Sequence, residues 1–436
     1  MIDFIIKASW IIPVVPQSRV LENCAIALNG DTIIDIGLPH EIDARYEAKT
    51  DLDLKGHALI PGFINTHGHA AMTLLRGYAD DKSLMDWLPN YIWPAEQRWV
   101  NDRFVADGTR LAIAEMLLSG TTCFSDMYFF PEEVASVALE AGIRAQLTFP
   151  ILDFPTIWAN GPDEYLRKGV ALHDQFRANP LIKVGFGPHA PYTVSDEPLK
   201  RIVTYAEELQ APIQIHLHET ATEIKTATEQ SGRRPIERLH ELGLFTPLTQ
   251  CVHMTQLEES EINLLSDTGA HVVHCPESNL KLASGICPTA KLLDMGINVC
   301  LGTDGAASNN DLDLSGDMRT AALIGKIAAN DASAIDAMTA LEMATINGAK
   351  AMGMENTIGS LEIGKKADLI AVDLNGLQHK PLYDPISQLV YTSIGHKIAH
   401  SWVNGRQLVK DFQLQTLDTT AIKSNARRWQ VKMSND

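Results

Sequence analysis

At 436 residues, with 45% hydrophobic and 21% charged side chains, the chain can bury a large core and has the composition of a globular protein. Its 54 acidic and 36 basic residues give a net charge of −18, which argues against nucleic acid or an anionic membrane as a partner. No apolar run reaches the roughly 20 residues of a membrane helix, and the N-terminal segment lacks the basic region of a signal peptide, so we expect a cytoplasmic protein.

Both ends of the chain are rich in short strand-like segments. The N-terminal ones lie at 3–8, 24–28, 32–36 and 51–54, and the C-terminal ones at 367–373, 398–405 and 407–410. Asn29-Gly30 marks a turn between two of them. We expect residues 1–58 and 366–436 to pair as one discontinuous β-sandwich domain.

Between the two ends, strand-like and helix-like segments alternate. Strands are expected at 59–65, 121–126, 145–149, 182–187, 213–218, 251–253, 271–274 and 298–302. Helices are expected at 105–119, 132–141, 197–210, 235–242, 258–268 and 333–352, among others. Because such alternation favours a parallel barrel over a sandwich, residues 59–365 are predicted to form a metal-dependent (β/α)8, TIM-like, catalytic domain, which places the protein in the α/β class.

Histidines and carboxylates stand where these strands end. His67 and His69 are two residues apart, so both imidazoles can face the same side of a strand and reach one metal ion. The other strand-end groups are His189, His216, Glu219, His253 and Asp304. Alone, Asp304 would suit an ordinary Asp-Gly turn. Since a parallel barrel keeps its chemistry at the carboxyl ends of its strands, the set as a whole favours a metal-assisted active site.

Other histidines and the cysteines have simpler interpretations. His216 and His218 form a second His-x-His pair, and their spacing does not choose between them. His271 and His274 are three residues apart and face opposite sides of a strand, so we take both as structural, and His57 falls in a loop-like segment. The spacings of the six cysteines, which lack a Cys-x-x-Cys pair, disfavour a zinc–thiolate site, and reduced, buried thiols are expected at Cys251, Cys275 and Cys300, which lie in apolar strand-like segments.

The assembled motifs resemble the amidohydrolase superfamily over nearly the whole chain. The segments that carry this resemblance are 61–69, the strand ends at His216 and His253, and 301–305. Within the superfamily, segments 74–77, 185–192, 278–282 and 303–310 are similar to those of the 5-methylthioadenosine/S-adenosylhomocysteine deaminases. The resemblance implies the barrel and sandwich described above, and zinc-dependent hydrolytic deamination of an adenine nucleoside.

The resemblance also implies a role for individual residues. One zinc ion would be bound by His67, His69, His216 and Asp304. The proton-handling groups would be Glu219, His253 and Asp304, and the substrate-binding groups Glu96 at the ribose, His189, Glu219, Ser308 and Trp87. No lysine ends the strands at 121–127 or 185–189, so a single metal ion is favoured over a pair bridged by a carbamylated lysine.

One departure from the family bears on the substrate. Some relatives carry arginines after the strand at 145–149, suited to a substrate carboxylate, whereas residues 145–158 here contain none. We therefore expect 5′-methylthioadenosine as the main substrate, converted to 5′-methylthioinosine and ammonia, with S-adenosylhomocysteine or adenosine poorer. We expect the partners to be this small molecule and further copies of the chain in a homo-oligomer.

Two alternative functions are weighed against this one. Another amidohydrolase acting on guanine, cytosine or a triazine would have no ribose diol for Glu96 to bind. A metal-free, non-catalytic barrel used as a scaffold would not need the proposed ligands, and metal analysis distinguishes it.

Overall fold

The computed structural model describes residues 1–434, and within them the strands form two eight-stranded sheets. The strands are β1 (Ile2–Ile11), β2 (Leu21–Asn29), β3 (Thr32–Gly37), β4 (Ala48–Pro61), β5 (Phe63–Asn65), β6 (Thr121–Asp126), β7 (Arg144–Ile151), β8 (Ile182–Pro188), β9 (Ile213–Leu217), β10 (Thr249–His253), β11 (His271–His274), β12 (Val299–Leu301), β13 (Leu369–Asp373), β14 (Ile398–Val403), β15 (Arg406–Lys410) and β16 (Gln413–Leu414).

The helices lie mainly between strands β5 and β13. They are α1 (Pro39–Arg45), α2 (Leu84–Trp87), α3 (Trp93–Trp99), α4 (Asp102–Leu118), α5 (Pro131–Ala141), α6 (Pro162–Phe176), α7 (Asp196–Leu209), α8 (Ala221–Ser231), α9 (Pro235–Glu241), α10 (Glu259–Thr268), α11 (Pro276–Lys281), α12 (Thr289–Asp294), α13 (Leu314–Ala329), α14 (Ala337–Met343), α15 (Ile346–Ala351), α16 (Pro385–Tyr391) and α17 (Thr419–Ser434). Short 3-10 helices occupy Ala70–Leu75 and Leu377–His379, and a π-helical turn occupies Leu88–Ile92.

Strands β5 to β12 form a parallel barrel in sequence order. The last strand returns to the first, because the Thr66 amide donates to the Leu301 carbonyl at 2.9 Å and the Asp304 amide donates to the His67 carbonyl at 3.1 Å. The predicted (β/α)8 barrel is therefore confirmed, and its carboxyl end carries the residues that follow each strand.

The other sheet draws its strands from both ends of the chain, in the order β16-β15-β14-β13-β4-β1-β2-β3. It curls so that the start of its edge strand β3 meets the start of the inner strand β13, since the Ala367 amide donates to the Asp31 carbonyl at 2.8 Å. The rings of Phe4 in β1 and Trp402 in β14 pack edge to face inside this curled sheet, with their centroids 6.1 Å apart. Pairing of the two chain ends into a second β unit is thus confirmed.

The boundary between the two units falls inside one long strand. β4 pairs with β1 and β13 and runs across the predicted division at residues 58 and 59. The domain limits themselves stay a prediction, and the part of the C-terminal segment at 435–436 lies outside the described residues.

Three local expectations differ from the structure. The helix predicted over 333–352 is two helices, α14 and α15, because the Ala344 carbonyl accepts from the Ile64 amide of β5 at 2.9 Å instead of continuing the helix. His57 lies within β4 rather than in a loop. Helix α6 was not among those named, although its buried residues at 165, 166, 169 and 172 have helical spacing.

The burial of the cysteines and the lengths of the helices can be compared with the expectations from the sequence. All six cysteines are buried free thiols, which confirms the expectation for Cys251, Cys275 and Cys300 and extends it to the other three. Within residues 1–434, no helix has both the length and the apolarity needed to span a bilayer.

Candidate active site

Three histidines at the carboxyl end of the barrel are held in the same tautomer. Each neutral ring donates from Nδ1 to an oxygen, which leaves a lone pair on Nε2. The pairs are His67 with Gln214 Oε1 (2.8 Å), His69 with the Met127 carbonyl (2.6 Å) and His216 with the His189 carbonyl (2.7 Å). The three Nε2 atoms therefore converge as potential ligands.

The spacing of these donors fits a tetrahedral metal site. His67 Nε2 lies 3.1 Å from His216 Nε2 and 3.4 Å from Asp304 Oδ1, and His69 Nε2 lies 3.2 Å from the same Asp304 oxygen. Ligand atoms about 2.0–2.1 Å from a tetrahedral zinc ion stand about 3.3 Å from one another. Two overlapping groups of side chains are each compact enough to hold such an ion, His67 with His69 and Asp304, and His67 with His216 and His253.

Asp304 is fixed by the backbone and by two hydroxyl groups. Its Oδ2 accepts from Ser278 Oγ at 2.7 Å and from Ser308 Oγ at 2.9 Å, which leaves Oδ1 to face the histidines. The turn before it requires Gly302, because a Cβ there would stand 2.8–3.0 Å from atoms of His67.

Without a bound metal ion, burial and the neighbouring Asp304 carboxylate shift the pKa values of the histidines. Burial opposes a positive charge on His69, but the Asp304 carboxylate outweighs it and raises the pKa of His69 to about 9. Burial lowers the pKa of His216 well below its ordinary value. Metal binding at this cluster must therefore displace a proton from His69.

Glu219 and His253 stand beside the histidine cluster. His253 Nε2 is 3.6 Å from Glu219 Oε2, and Ser284 Oγ donates to Glu219 Oε1 at 3.2 Å. Asn279 Nδ2 donates to His253 Nδ1 at 2.9 Å, so the neutral ring carries its proton on Nε2. Burial raises the pKa of Glu219 to about 8 and lowers that of His253 to about 4, which leaves both side chains uncharged near neutral pH.

A reversal of the backbone after β9 separates the two histidines that spacing could not distinguish. His218 adopts φ 52°, and the carboxylate of Glu223 accepts from the amides of His218 (3.0 Å) and Glu219 (2.8 Å). As a result, Glu219 faces the site, whereas His218 points away and its Nδ1 donates to the Gln256 carbonyl at 3.2 Å. His216 is the member of the pair that reaches His67.

The remaining histidines on the barrel strands are outside the site. His271 bonds to the Pro247 carbonyl at 3.1 Å, and His274 is fully buried without lining the cavity. Both positions agree with the structural interpretation made from the sequence.

A cavity of about 510 Å³ opens above the histidines. The five residues expected to contact a nucleoside all line it: Trp87, Glu96, His189, Glu219 and Ser308. Tyr128 lies two residues after the end of β6 and was not predicted from the sequence; its hydroxyl donates to Glu96 Oε1 at 2.7 Å. Burial raises the pKa of Glu96 to about 7.

The outer part of the cavity is apolar and lacks a cation. Its wall includes Leu84, Trp93, Phe154 and Ile157, and no lysine or arginine of the described chain lines it. Two arginines whose side chains could have reached the cavity are engaged elsewhere. Arg76 forms an ion pair with Glu115, and Arg167, 71% exposed, lies near Glu164.

Several residues that support the site were not singled out from the sequence. Ser278 and Asn279 lie in the segment 278–282, which resembles the deaminases but to which no role was assigned, and Ser284 lies just after it. Gln214 precedes His216 by two residues on β9, and that alternation was the signal that could have placed it on the same face.

Comparison with known proteins agrees with this geometry. Residues 58–408 match the model of the Amidohydrolase family. A 5-methylthioadenosine/S-adenosylhomocysteine deaminase of Saccharophagus degradans is 58% identical over 431 residues, covering 99% of this chain and 97% of that protein. A 5′-deoxyadenosine deaminase of Methanosarcina mazei is 38% identical, covering 98% of each chain.

A solved structure extends the likeness to three dimensions. The crystal structure of an adenosine deaminase from Xanthomonas campestris with bound zinc superimposes with a TM-score of 0.98 at 45% identity, covering 100% of this chain and 99% of that one. The barrel, the donors gathered at its carboxyl end and a family match across most of the sequence lead to one conclusion: the chain belongs to the amidohydrolase family.

Proposed function

We propose that the protein is a zinc-dependent aminohydrolase that converts 5′-methylthioadenosine and water to 5′-methylthioinosine and ammonia, with S-adenosylhomocysteine and adenosine as poorer substrates. The observation that carries the proposal is a cluster of imidazole nitrogens and a carboxylate oxygen with neighbouring atoms 3.1–3.4 Å apart, beside an uncharged Glu219 and at the base of a cavity whose described lining residues include no lysine or arginine. The relatives named 5-methylthioadenosine/S-adenosylhomocysteine deaminase and 5′-deoxyadenosine deaminase support an adenine nucleoside that is altered at its 5′ position as the substrate class.

In this proposal His67, His69, His216 and Asp304 bind one zinc ion. The ion, when bound, supplies Lewis-acid chemistry that lowers the pKa of a water molecule from 15.7 to about 7. A single ion is in keeping with the lysine of β8, Lys183, which lies at the opposite end of the barrel and donates to the Met352 carbonyl at 2.6 Å.

The chain's own residues would move the protons. His253 donates its Nε2–H to the oxygen of the attacking water, and the Asp304 carboxylate accepts the proton that the water loses. As the C6–O bond of the purine forms, Glu219 donates its proton to the adjacent ring nitrogen, N1. Asp304 would then return its proton to the C6 amino group, the C6–N bond would break to release ammonia, and the C6 hydroxyl would give its proton to the Glu219 carboxylate, which leaves the 6-oxopurine with a proton on N1.

The ribose and the base would be held by the cavity wall. A carboxylate accepts from two neighbouring hydroxyls, and Tyr128 holds Glu96 ready for that role through a 2.7 Å bond. His189 and Ser308 lie on the wall near the metal donors, and Trp87 offers an indole face for packing. These groups are the proposed binding set for the nucleoside.

The apolar outer wall supports a preference for the methylthio tail. A thioether methyl group gains about 25 cal/mol for each Å² of apolar surface that it buries. The carboxylate and ammonium groups of a homocysteine tail would lose water there, and the lining residues offer the carboxylate no cation.

An ammonia-release screen tests the function. Purified enzyme is given methylthioadenosine, S-adenosylhomocysteine, adenosine, guanine and cytosine, and zinc content is measured in the same preparation. We expect stoichiometric zinc and highest kcat/KM for methylthioadenosine. Activity on free bases alone would overturn the nucleoside assignment, and substoichiometric metal in protein prepared without chelator would favour the scaffold.

We further propose that the enzyme acts in the cytoplasm as a homo-oligomer with no nucleic-acid partner. Six buried, unpaired thiols support a reducing compartment, and the charge of −18 disfavours phosphate backbones. Sedimentation velocity tests the oligomeric state.

A further inference from the structure

Gln214 is the only one of the three histidine-orienting partners that is a side chain. His69 and His216 donate to backbone carbonyls, which no substitution removes, whereas His67 donates to Gln214 Oε1 at 2.8 Å. Gln214 is fully buried inside the barrel. The tautomer and ring angle of His67 therefore depend on which end of one buried amide faces it.

The amide of Gln214 can face only one way. Its Nε2 donates to the Thr66 carbonyl at 2.8 Å and to Gln250 Oε1 at 2.6 Å. A carbonyl oxygen only accepts, so the NH2 group must point to Thr66 and the oxygen to His67. If the amide were inverted, its oxygen would face the acceptor oxygens of Thr66 and Gln250. Its NH2 group would then face His67 Nδ1–H, which is also a donor.

The side-chain amide of Gln250 also fixes the direction of the Gln214 amide. Gln250 donates its own Nε2 to the Ala351 carbonyl at 2.7 Å, which turns its oxygen towards Gln214. Ala351 is the last residue of helix α15. The carbonyl of the next residue, Met352, accepts from Lys183 at the start of β8, so the end of this helix covers the amino end of the barrel. The direction of the amides is thus anchored at both ends by backbone carbonyls.

We propose that Gln214 is a positioning residue that holds His67 with its Nε2 lone pair directed at the metal site, and that Gln250 and the Ala351 carbonyl set the direction of the Gln214 amide. The inference rests on the proposed zinc site and extends it through the barrel to helix α15. Outer partners of metal-bound histidines typically change metal affinity by about 10–100-fold when removed.

Zinc affinity, measured by competition with a chromophoric chelator, tests the proposal without reference to turnover. Gln214→Met keeps the length of the side chain and removes the acceptor, so its zinc dissociation constant should rise about 10–100-fold. The matched control is Gln146→Met, since Gln146 is equally buried and donates to Gln250 Oε1 at 2.9 Å without bonding His67. The control should bind zinc within about threefold of the wild type, a shift smaller than the effect of an outer partner.

A conservative variant separates positioning from packing. In Gln214→Glu, a carboxyl oxygen still accepts from His67 Nδ1, since both the charged and the neutral carboxyl group carry an acceptor oxygen. This variant should bind zinc nearly as the wild type does. Unfolding of the metal-free proteins, followed by circular dichroism, reports any loss of structure.

The outcomes distinguish the two proposals. If the wild type takes up no zinc, the proposed function fails. If the wild type binds zinc and Gln214→Met binds it as tightly as Gln146→Met, or Gln214→Glu is as weak as Gln214→Met, the positioning role alone is refuted. If Gln214→Met does not fold, Gln214→Glu with wild-type affinity and Gln250→Met with weakened affinity support the role, and any other combination refutes it.

Discussion

Replacing Ile157 by arginine should move the substrate preference from 5′-methylthioadenosine towards S-adenosylhomocysteine. Ile157 lies in the loop after β7, lines the cavity and is 53% exposed, so a longer side chain fits there without disturbing the core. In the wild type, no lysine or arginine of the described chain lines the cavity. A homocysteine carboxylate that enters therefore loses water without gaining an opposite charge, and the substitution supplies that charge.

The size of the effect follows from the exposure of the site. A tenfold preference of the wild type for methylthioadenosine requires only about 1.4 kcal/mol, less than the cost of a fully buried, unpaired carboxylate. Because position 157 is half exposed, water screens the new ion pair, which is worth about 1 kcal/mol. The ratio of the two kcat/KM values should then fall by about fivefold.

Direct competition measures this ratio. Both nucleosides are mixed with the enzyme, ammonia release is followed, and the two inosine products are separated by chromatography. Ile157→Gln adds a polar side chain without the charge and serves as the control. Parity or a preference for S-adenosylhomocysteine in the wild type would refute the reasoning, as would equal ratios for the arginine and glutamine variants.

Further predictions concern the metal, the proton donor and the ribose. His67→Ala and Asp304→Ala should both abolish turnover, the former with loss of zinc by elemental analysis; near wild-type turnover in either would show that the ligand set is wrong. Glu219→Gln should lower kcat by about 10²–10⁴-fold with zinc retained, and loss of zinc instead would make Glu219 a ligand. Because burial raises the pKa of Glu219 to about 8 and the protonated form donates, kcat/KM of the wild type should fall as pH rises through about 8, and this alkaline decline should be absent in Glu219→Gln. Glu96→Gln should weaken turnover of methylthioadenosine about tenfold or more but that of its 2′,3′-dideoxy analogue little, since each hydrogen bond to a charged group contributes about 1.5–3 kcal/mol; equal losses would remove Glu96 from the ribose site.

The barrel and most of the candidate site are predictable from the sequence because they depend on local order. Alternating segments of strand-like and helix-like periodicity define the parallel barrel, and a residue that ends a strand must lie at the carboxyl edge. His67, His69, His253 and Asp304 could be placed at one edge on that basis alone.

Local order fails where a residue's environment is supplied by distant parts of the chain. Residues 333–352 have helical periodicity throughout, yet a bond from Ile64 to the Ala344 carbonyl divides them into α14 and α15. Tyr128 and Glu96 are 32 residues apart in the chain, and no sequence pattern predicts the hydrogen bond between them.

The sequence by itself determined the barrel, the strand-end positions of the candidate ligands and the absence of arginine after β7. Only the tertiary structure decided between His216 and His218, which share a face on an ideal strand but are separated by the left-handed turn at His218 that Glu223 stabilises. It alone showed that Gln214 orients His67. The physical reason is that periodicity specifies which side of an element a residue occupies, whereas hydrogen-bond partners depend on how elements far apart in the chain pack together.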